Sequence, residues 1–310
     1  TLKNISKTYQ MGLVEVKALQ DISLKIEEGE FVAIMGPSGS GKSTLMHVLG
    51  LLDRPDQGEY SLGTKIINKL SDDALSAIRN RLAGFVFQQF HLLPRISSLE
   101  NVELPLIYAG KRHLREHAME QIKSVGLEKR AGHRSNELSG GEQQRMAIAR
   151  SLVNDPPIIL ADEPTGNLDS KSQNEIMGIL RGLNENGKTI IMVTHEEEVA
   201  EYAKRIIRMR DGKIIADDRR TIAVTNGKSA VANVSVDGIL GQKGAKIKSA
   251  EMSDHFRQAI WAIVAHKMRS ALSMLGILIG VAAVIAMLAL GQGAKESITK
   301  TLASMGSNLL

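Results

Sequence analysis

The chain has 310 residues, 43% hydrophobic and 24% charged, which excludes a wholly disordered protein and allows a sizeable core. It contains no cysteine, which rules out a disulfide scaffold, a thiolate metal site and cysteine-based catalysis. The net charge of +5 falls wholly between Arg219 and Ala250, where six bases face one acid; charge confined to one polar stretch points to a solvated linker or a tether near anionic lipid before a nucleic-acid-binding face.

In chain order, Leu2 to Tyr9 reads as a strand, followed by strands at Phe31 to Met35, Gly84 to Phe87, Ile158 to Ala161 and Thr189 to Thr194. Helical spacing of apolar residues marks Asp72 to Arg81, Glu116 to Val125, Gly140 to Val153 and Ser170 to Leu183. This alternation predicts an α/β domain over residues 1–216, with a mostly parallel sheet covered by helices. Residues 217–250 lose the rhythm and carry Asn226-Gly227, Gly241 and Gly244, the composition of a linker, with room for a short strand at Val231 to Val236.

Ser253 can cap an amphipathic helix over residues 251–270, with Phe256, Ile260, Ile263 and Val264 on one face. That face suits either a bilayer surface or the side of the preceding domain. Ala271 to Leu290 is twenty residues without a charge, ten of them Leu, Ile or Val; as a helix it spans about the 30 Å of a hydrocarbon core, so a transmembrane helix is expected over 271–290. Bases lie on both sides of it (Arg257, Lys267, Arg269; Lys295, Lys300), so charge does not fix its orientation. Residues 291–310 would then begin a region on the far side. Thr1 stands where a start methionine would, and the helical pattern from Ile298 runs up to Leu310; the chain reads as a piece of a longer protein.

Three motifs carry chemistry. Gly36-Pro37-Ser38-Gly39-Ser40-Gly41-Lys42-Ser43, between a strand and a helix starting near Thr44, fits a phosphate-binding loop. Its glycines let backbone N–H groups converge on phosphate oxygens, the helix N-terminus adds positive potential, Lys42 reaches the β and γ phosphates, and Ser43 offers a hydroxyl to Mg²⁺. Ile158 to Glu163 is an apolar strand ending in two acids. Asp162 can hold Mg²⁺ through water, and Glu163 can take a proton from an attacking water; without the loop at Gly36 the pair would be an ordinary turn. Leu138-Ser139-Gly140-Gly141-Glu142-Gln143-Gln144-Arg145 is a capped helix start that makes a second anion site. One nucleotide needs two such sites only if they come from different subunits.

In this order the motifs resemble those of ATP-binding cassette proteins, over residues 1 to about 216. The resemblance implies a P-loop NTPase fold with a helical subdomain, binding ATP and Mg²⁺. It makes Leu138 to Gln143 the signature motif, Gln88 the Q-loop residue that senses the γ phosphate and contacts the metal, and Asn167-Leu168-Asp169 the D-loop. His195 becomes the switch histidine on the γ phosphate, and Tyr9 the aromatic that stacks on adenine. Two cassettes would close head to tail as a homodimer, each ATP lying between Lys42 of one chain and Ser139 to Gly141 of the other.

Phe85 to Pro94, Ala161 to Asp169, and Lys267 to Gly276 resemble the branch containing lipoprotein-release and macrolide-export ATPases, most of all the MacB-type exporters. Members of that group continue into a large periplasmic domain and three further spans. The resemblance implies an inner-membrane exporter of macrolide-like or peptide substrates, with its ATPase domain in the cytoplasm. A periplasmic adaptor and an outer-membrane channel would be its partners, with no nucleic acid involved. The alternatives are a lipoprotein-release transporter and, from other classes, a soluble cassette ATPase acting on DNA or ribosomes or a non-hydrolysing regulatory subunit. The span at Ala271 to Leu290 argues against the soluble protein, and the presence of Lys42, Asp162, Glu163 and His195 against the regulatory one.

Overall fold

The computed structural model describes residues 1–12, 14–219 and 267–305. In chain order these form β1 (Leu2–Met11), β2 (Val14–Leu24), β3 (Phe31–Met35), α1 (Lys42–Leu49), β4 (Gln57–Leu62), β5 (Lys65–Ile66), α2 (Asp72–Leu82) and β6 (Ala83–Val86). There follow α3 (Ser98–Tyr108), α4 (Arg115–Ser124), α5 (Gly140–Leu152), β7 (Ile158–Asp162), α6 (Ser170–Glu185), β8 (Thr189–Thr194), α7 (Glu197–Ala200), β9 (Arg205–Arg210), β10 (Lys213–Arg219) and α8 (Lys267–Met305).

The central sheet has the order β10-β9-β3-β8-β7-β6, parallel throughout except for the β9–β10 hairpin. Every residue of β3 and β8 is buried, so both faces of the sheet are covered and the strands read as continuous apolar runs. Period two divides them between two cores. Phe31, Ala33, Met35, Ile190 and Met192 face one cluster with residues of α3, α4, α5 and α6. Val32, Ile34, Ile191 and Val193 face the other, with α1, α2 and a second sheet.

That second sheet, β2-β1-β4-β5, is antiparallel. It stands in addition to the mostly parallel sheet that the strand–helix alternation predicts. The period-two pattern that would have announced this second sheet is interrupted by register shifts in the β1–β2 and β1–β4 pairings.

Helix starts follow their capping chemistry. Ser97 with Glu100, and Ser139 with Glu142, form reciprocal capping boxes at α3 and α5, and Ser71 caps α2. The other chain-level boundary needs a correction. Residues 217–219, read as the start of the linker, are the last residues of β10, where Asp217 pairs with Ile207 and Arg219 with Arg205. Their run of charges masks a sheet-edge strand, whose side chains can stay polar.

The chain divides into two units, Thr1–Gly244 and Ala245–Leu310. The remainder of the expected linker, the strand at Val231 to Val236 and the amphipathic helix up to residue 266 lie outside the described residues. In the second unit, α8 has 39 residues, about 58 Å of helix. It contains a stretch, Met274–Leu302, long and apolar enough to cross a membrane, with a mean hydropathy of 2.6 over its most apolar 18 residues. The helix does not stop at Leu290: it runs on through Gly291, Gly293 and the charged residues Lys295, Glu296 and Lys300. Residues 291–305 therefore open as more of the same helix.

Candidate functional site

The functional side chains gather where the parallel strands end. The phosphate loop leaves the C-terminal end of β3 and enters α1, the crevice position that open α/β sheets use for ligands. A Cβ at Gly36 would collide with Met209 O and lie 2.7 Å from Ser40 Oγ. Gly41, with φ +97°, is the N-cap of α1, and a Cβ there would meet Ala18 O. Only glycine lets the backbone pass both points. The loop is tied from behind by Gly212 N–H, which donates to Ser40 O at 3.1 Å. Its outer residues Pro37, Ser38 and Gly39 are exposed.

Lys42 is 7% exposed. Its ammonium donates to Gly36 O at 2.8 Å and to Pro37 O at 2.9 Å, which uses two of its three N–H donors. Ser40 Oγ is buried with no hydrogen-bond partner. A loop holding a cation and an unsatisfied hydroxyl at a helix N-terminus is a ready receptor for phosphate oxygens.

Asp162 is the last residue of β7, and Ser43 follows Lys42 in the first turn of α1. Burial, then the neighbouring Glu163, raises its pKa above the ordinary carboxylate value, while His47, Lys42 and Ser43 pull the other way. Ser43, Asp162 and Gln88 each carry a hard oxygen donor of the kind Mg²⁺ takes. Among the described residues there is no cluster of three or more His, Asp or Glu side chains able to hold a metal alone. A cation at this site would thus complete its shell with phosphate oxygens and water, the habit of Mg²⁺ at nucleotide sites.

Glu163 has φ +43°, a conformation costly for a side-chain-bearing residue. Two bonds hold it: Glu163 N–H donates to Val193 O at 2.9 Å, and Gly166 N–H donates to Glu163 O at 3.1 Å. The parallel register that sets Asp162 opposite Val193 brings His195, just past the end of β8, to the Glu163 carboxylate. His195 Nδ1 lies 2.9 Å from Glu163 Oε1.

Tyr9, on β1, donates its hydroxyl to Asp53 Oδ2 at 2.6 Å. Burial first, then Asp53, raises its phenol pKa, against a bond with the Thr44 side chain. Gln88, half-buried after β6, packs so close to Gly166 that a Cβ there would lie 2.8 Å from Gln88 Nε2. Asn167 Nδ2 donates to Gln88 O at 3.3 Å.

The signature residues sit elsewhere. Ser139 Oγ accepts from Glu142 N–H at 3.3 Å as the N-cap of α5. Gly140 faces Leu168 and Phe90, and Gly141 faces Ser172, so neither approaches its own chain's phosphate loop through these contacts. Asp169 caps α6, accepting from Lys171 N–H at 3.1 Å, Ser172 N–H at 3.0 Å and Ser172 Oγ at 2.8 Å. A structural role thus accounts for its carboxylate.

Gln144 is a member of the site that the sequence reading passed over. Fully buried, it donates from Nε2 to Phe87 O at 3.2 Å and to Pro164 O at 2.7 Å, joining α5 to the residues flanking Gln88 and Glu163. The available signal was a polar residue three positions after Gly141 and three before Ala147, both buried on the same helical stripe.

Comparison with known proteins agrees with this arrangement. Residues 19–166 match the ABC transporter family and residues 270–310 the MacB-like periplasmic core domain family. The chain is 55% identical, over all of its length, to the macrolide export ATP-binding/permease protein MacB of Bdellovibrio bacteriovorus, and 54% identical, over 99% of its length, to that of Chlorobaculum tepidum. It spans 47% and 46% of those proteins, about half their length. Among solved structures it is similar to the ATP-binding cassette MJ0796 in a dimeric post-hydrolysis state bound to ADP and Pi. That likeness has 50% identity and a TM-score of 0.65, covering 70% of this chain and 97% of that one. With a solved cassette matched almost end to end and a phosphate loop, paired acids and histidine at the strand ends, the chain belongs to the ATP-binding cassette family of ABC transporters.

Proposed function

We propose that this chain is the ATP-hydrolysing cassette and first membrane span of a MacB-type exporter that moves macrolide-like or peptide substrates out across the inner membrane. The observation that carries the reading is the convergence of Lys42, Ser43, Asp162, Glu163 and His195 at the C-terminal ends of three adjacent strands. The similarity to macrolide-export proteins supports the transport assignment, and α8 supports attachment to a membrane.

ATP would enter with its phosphates on the loop 36–44 and its adenine on Tyr9. Lys42 would exchange its two carbonyl partners for β- and γ-phosphate oxygens. Ser43, Asp162 and Gln88 would hold Mg²⁺, which when bound offsets negative charge on the phosphates. Glu163 accepts the proton of the attacking water at its carboxylate, and His195 fixes that carboxylate through the bond to Oε1 while its other ring nitrogen is free to reach the γ phosphate.

Ser139, Gly140 and Gly141 would serve the ATP of a second copy. The neighbours of Gly140 and Gly141 are Leu168, Phe90 and Ser172 and not their own loop, and the backbone amides of the helix start suit a phosphate approaching from outside. Two cassettes closing head to tail give each ATP a loop from one chain and a signature helix from the other. A periplasmic adaptor and an outer-membrane channel complete the proposed pathway, with the cassette in the cytoplasm where ATP is supplied.

The test is macrolide susceptibility of cells producing the intact membrane protein or its Glu163→Gln variant, alongside Mg²⁺-dependent ATP turnover in membranes. Protection and turnover that are both lost in the variant support the reading. Turnover without protection leaves the ATPase and removes the cargo assignment, and absence of both in the wild type overturns the whole.

A further inference from the structure

Tyr9 is held in a bracket. Lys7 and Tyr9 are two apart on β1 and share a face of the strand. Lys7 Nζ lies over the Tyr9 ring, 5.3 Å from its centroid, within cation–π range. The Tyr9 hydroxyl is bonded to Asp53 Oδ2 at 2.6 Å, and the other oxygen of that carboxylate pairs with Lys7 Nζ at 3.0 Å. Phenol, carboxylate and ammonium therefore close a ring of contacts.

Both arms of the bracket are themselves fixed. Lys7 Nζ also donates to Arg54 O at 2.8 Å and Asp56 Oδ1 at 3.2 Å, and Asp56 Oδ2 accepts from Thr8 N–H at 2.7 Å. Asp53 is carried on the turn that ends α1, where the N–H groups of Leu52 and Asp53 both donate to His47 O, at 2.9 and 3.2 Å. The helix that starts at the phosphate loop is thus followed, in the turn after Leu49, by the residue that anchors the tyrosine.

We infer that Asp53 and Lys7 are positioning residues for the purine base, locking the Tyr9 ring so that the face opposite Lys7 is presented at a set distance from the phosphate loop. The inference rests on the reading of Tyr9 as the base-stacking residue. Lys7 covers one face and Asp53 stops the ring from pivoting, so the ordering that stacking demands is in place before nucleotide arrives. The bracket contributes to the base and adds nothing to the triphosphate, which gives it a signature that a general structural role lacks.

The experiment compares binding of ATP and of inorganic tripolyphosphate to the intact detergent-solubilised protein, using Tyr9→Ala, Tyr9→Phe, Asp53→Ala, Lys7→Met and the Tyr9→Ala/Asp53→Ala double variant. Asp53→Ala and Lys7→Met are each expected to weaken ATP binding about 3- to 10-fold, the scale of losing one charge-assisted hydrogen bond or cation–π contact, with tripolyphosphate binding unchanged. Tyr9→Phe should fall between wild type and Tyr9→Ala, because it keeps the ring and loses the anchor. In the double variant Asp53→Ala should add nothing.

If Tyr9→Ala leaves ATP binding intact, the stacking reading fails and this inference with it. If Tyr9→Ala weakens ATP binding and Asp53→Ala and Lys7→Met do not, stacking stands and the bracket is overturned. Equal loss of ATP and tripolyphosphate in Asp53→Ala also overturns it, since the residue would then act on the loop or the fold.

Discussion

His195 Nδ1 and Glu163 Oε1 are 2.9 Å apart, a contact between residues 32 positions distant in sequence that the pairing of β7 with β8 brings together. The hydrogen bond orients a carboxylate whose backbone is already held in the left-handed region. Catalytic carboxylates gain from such fixing, because a general base must meet its proton at hydrogen-bond distance. Glu163→Gln keeps the shape and removes the basic oxygen. ATP turnover by the membrane-embedded protein should then fall at least about 100-fold with binding retained. His195→Ala should also lower turnover while sparing ATP affinity. Near-normal hydrolysis by Glu163→Gln would remove Glu163 from the role.

Gln144 gives a second expectation. Its Nε2 donors satisfy Phe87 O at a part-buried point and Pro164 O in the interior. Gln144→Leu should destabilise the cassette by about 1 to 3 kcal/mol, the cost of leaving buried polar groups unpaired. Because those carbonyls flank Gln88 and Glu163, kcat should fall more than KM rises. Thermal unfolding and steady-state kinetics on the same preparation check both, and an unchanged kcat would limit Gln144 to packing.

The end of the cassette predicts a pH dependence. Arg205, only 6% exposed in its side chain, binds Asp217 through two bonds of 2.7 Å and Glu30 through one of 2.9 Å. The bonds to Arg205 hold the Asp217 carboxyl below its ordinary pKa despite partial burial. A carboxylate with a lowered folded-state pKa contributes stability above its unfolded value, near 4, and loses it as pH falls through the folded one. The stability advantage of wild type over Asp217→Asn should therefore be full at pH 6 and shrink below about pH 4. Chemical denaturation across that range measures it, and an advantage independent of pH would contradict the pairing. Arg205→Ala should cost about 1 to 3 kcal/mol, since it removes a buried guanidinium that bonds half-buried Glu30 and the more exposed Asp217.

Much of the site was legible because its chemistry is local in sequence. The loop at Gly36, the acids after β7 and the capped start at Ser139 each lie within one contiguous motif, with the strand or helix that positions it alongside. The central strands were legible for a related reason: β3 and β8 are buried on both faces, so they appear as unbroken apolar runs. Relationships between distant residues were not readable. The anchoring of Tyr9 by Asp53 spans 44 positions, and the donation from Gln144 to Phe87 O spans 57. The antiparallel sheet escaped because bulges break its period, and the last residues of β10 because a sheet-edge strand can be as polar as a linker.

If each ATP is shared between two chains, complementation between two inactive variants reveals it. Ser139→Arg sets a bulky cation at the N-cap of α5 while leaving the same chain's residues 36–44 untouched, and Lys42→Ala does the reverse. Each variant alone should lose nearly all turnover, with Ser139→Arg still binding ATP. In a mixed dimer one site carries both lesions and the other neither, so co-assembled Ser139→Arg and Lys42→Ala chains should recover part of the wild-type ATPase activity. If the mixture recovers nothing beyond the sum of its parts, and Ser139→Arg alone still turns over ATP, each chain hydrolyses on its own and Leu138 to Gln143 is no more than a capped helix start.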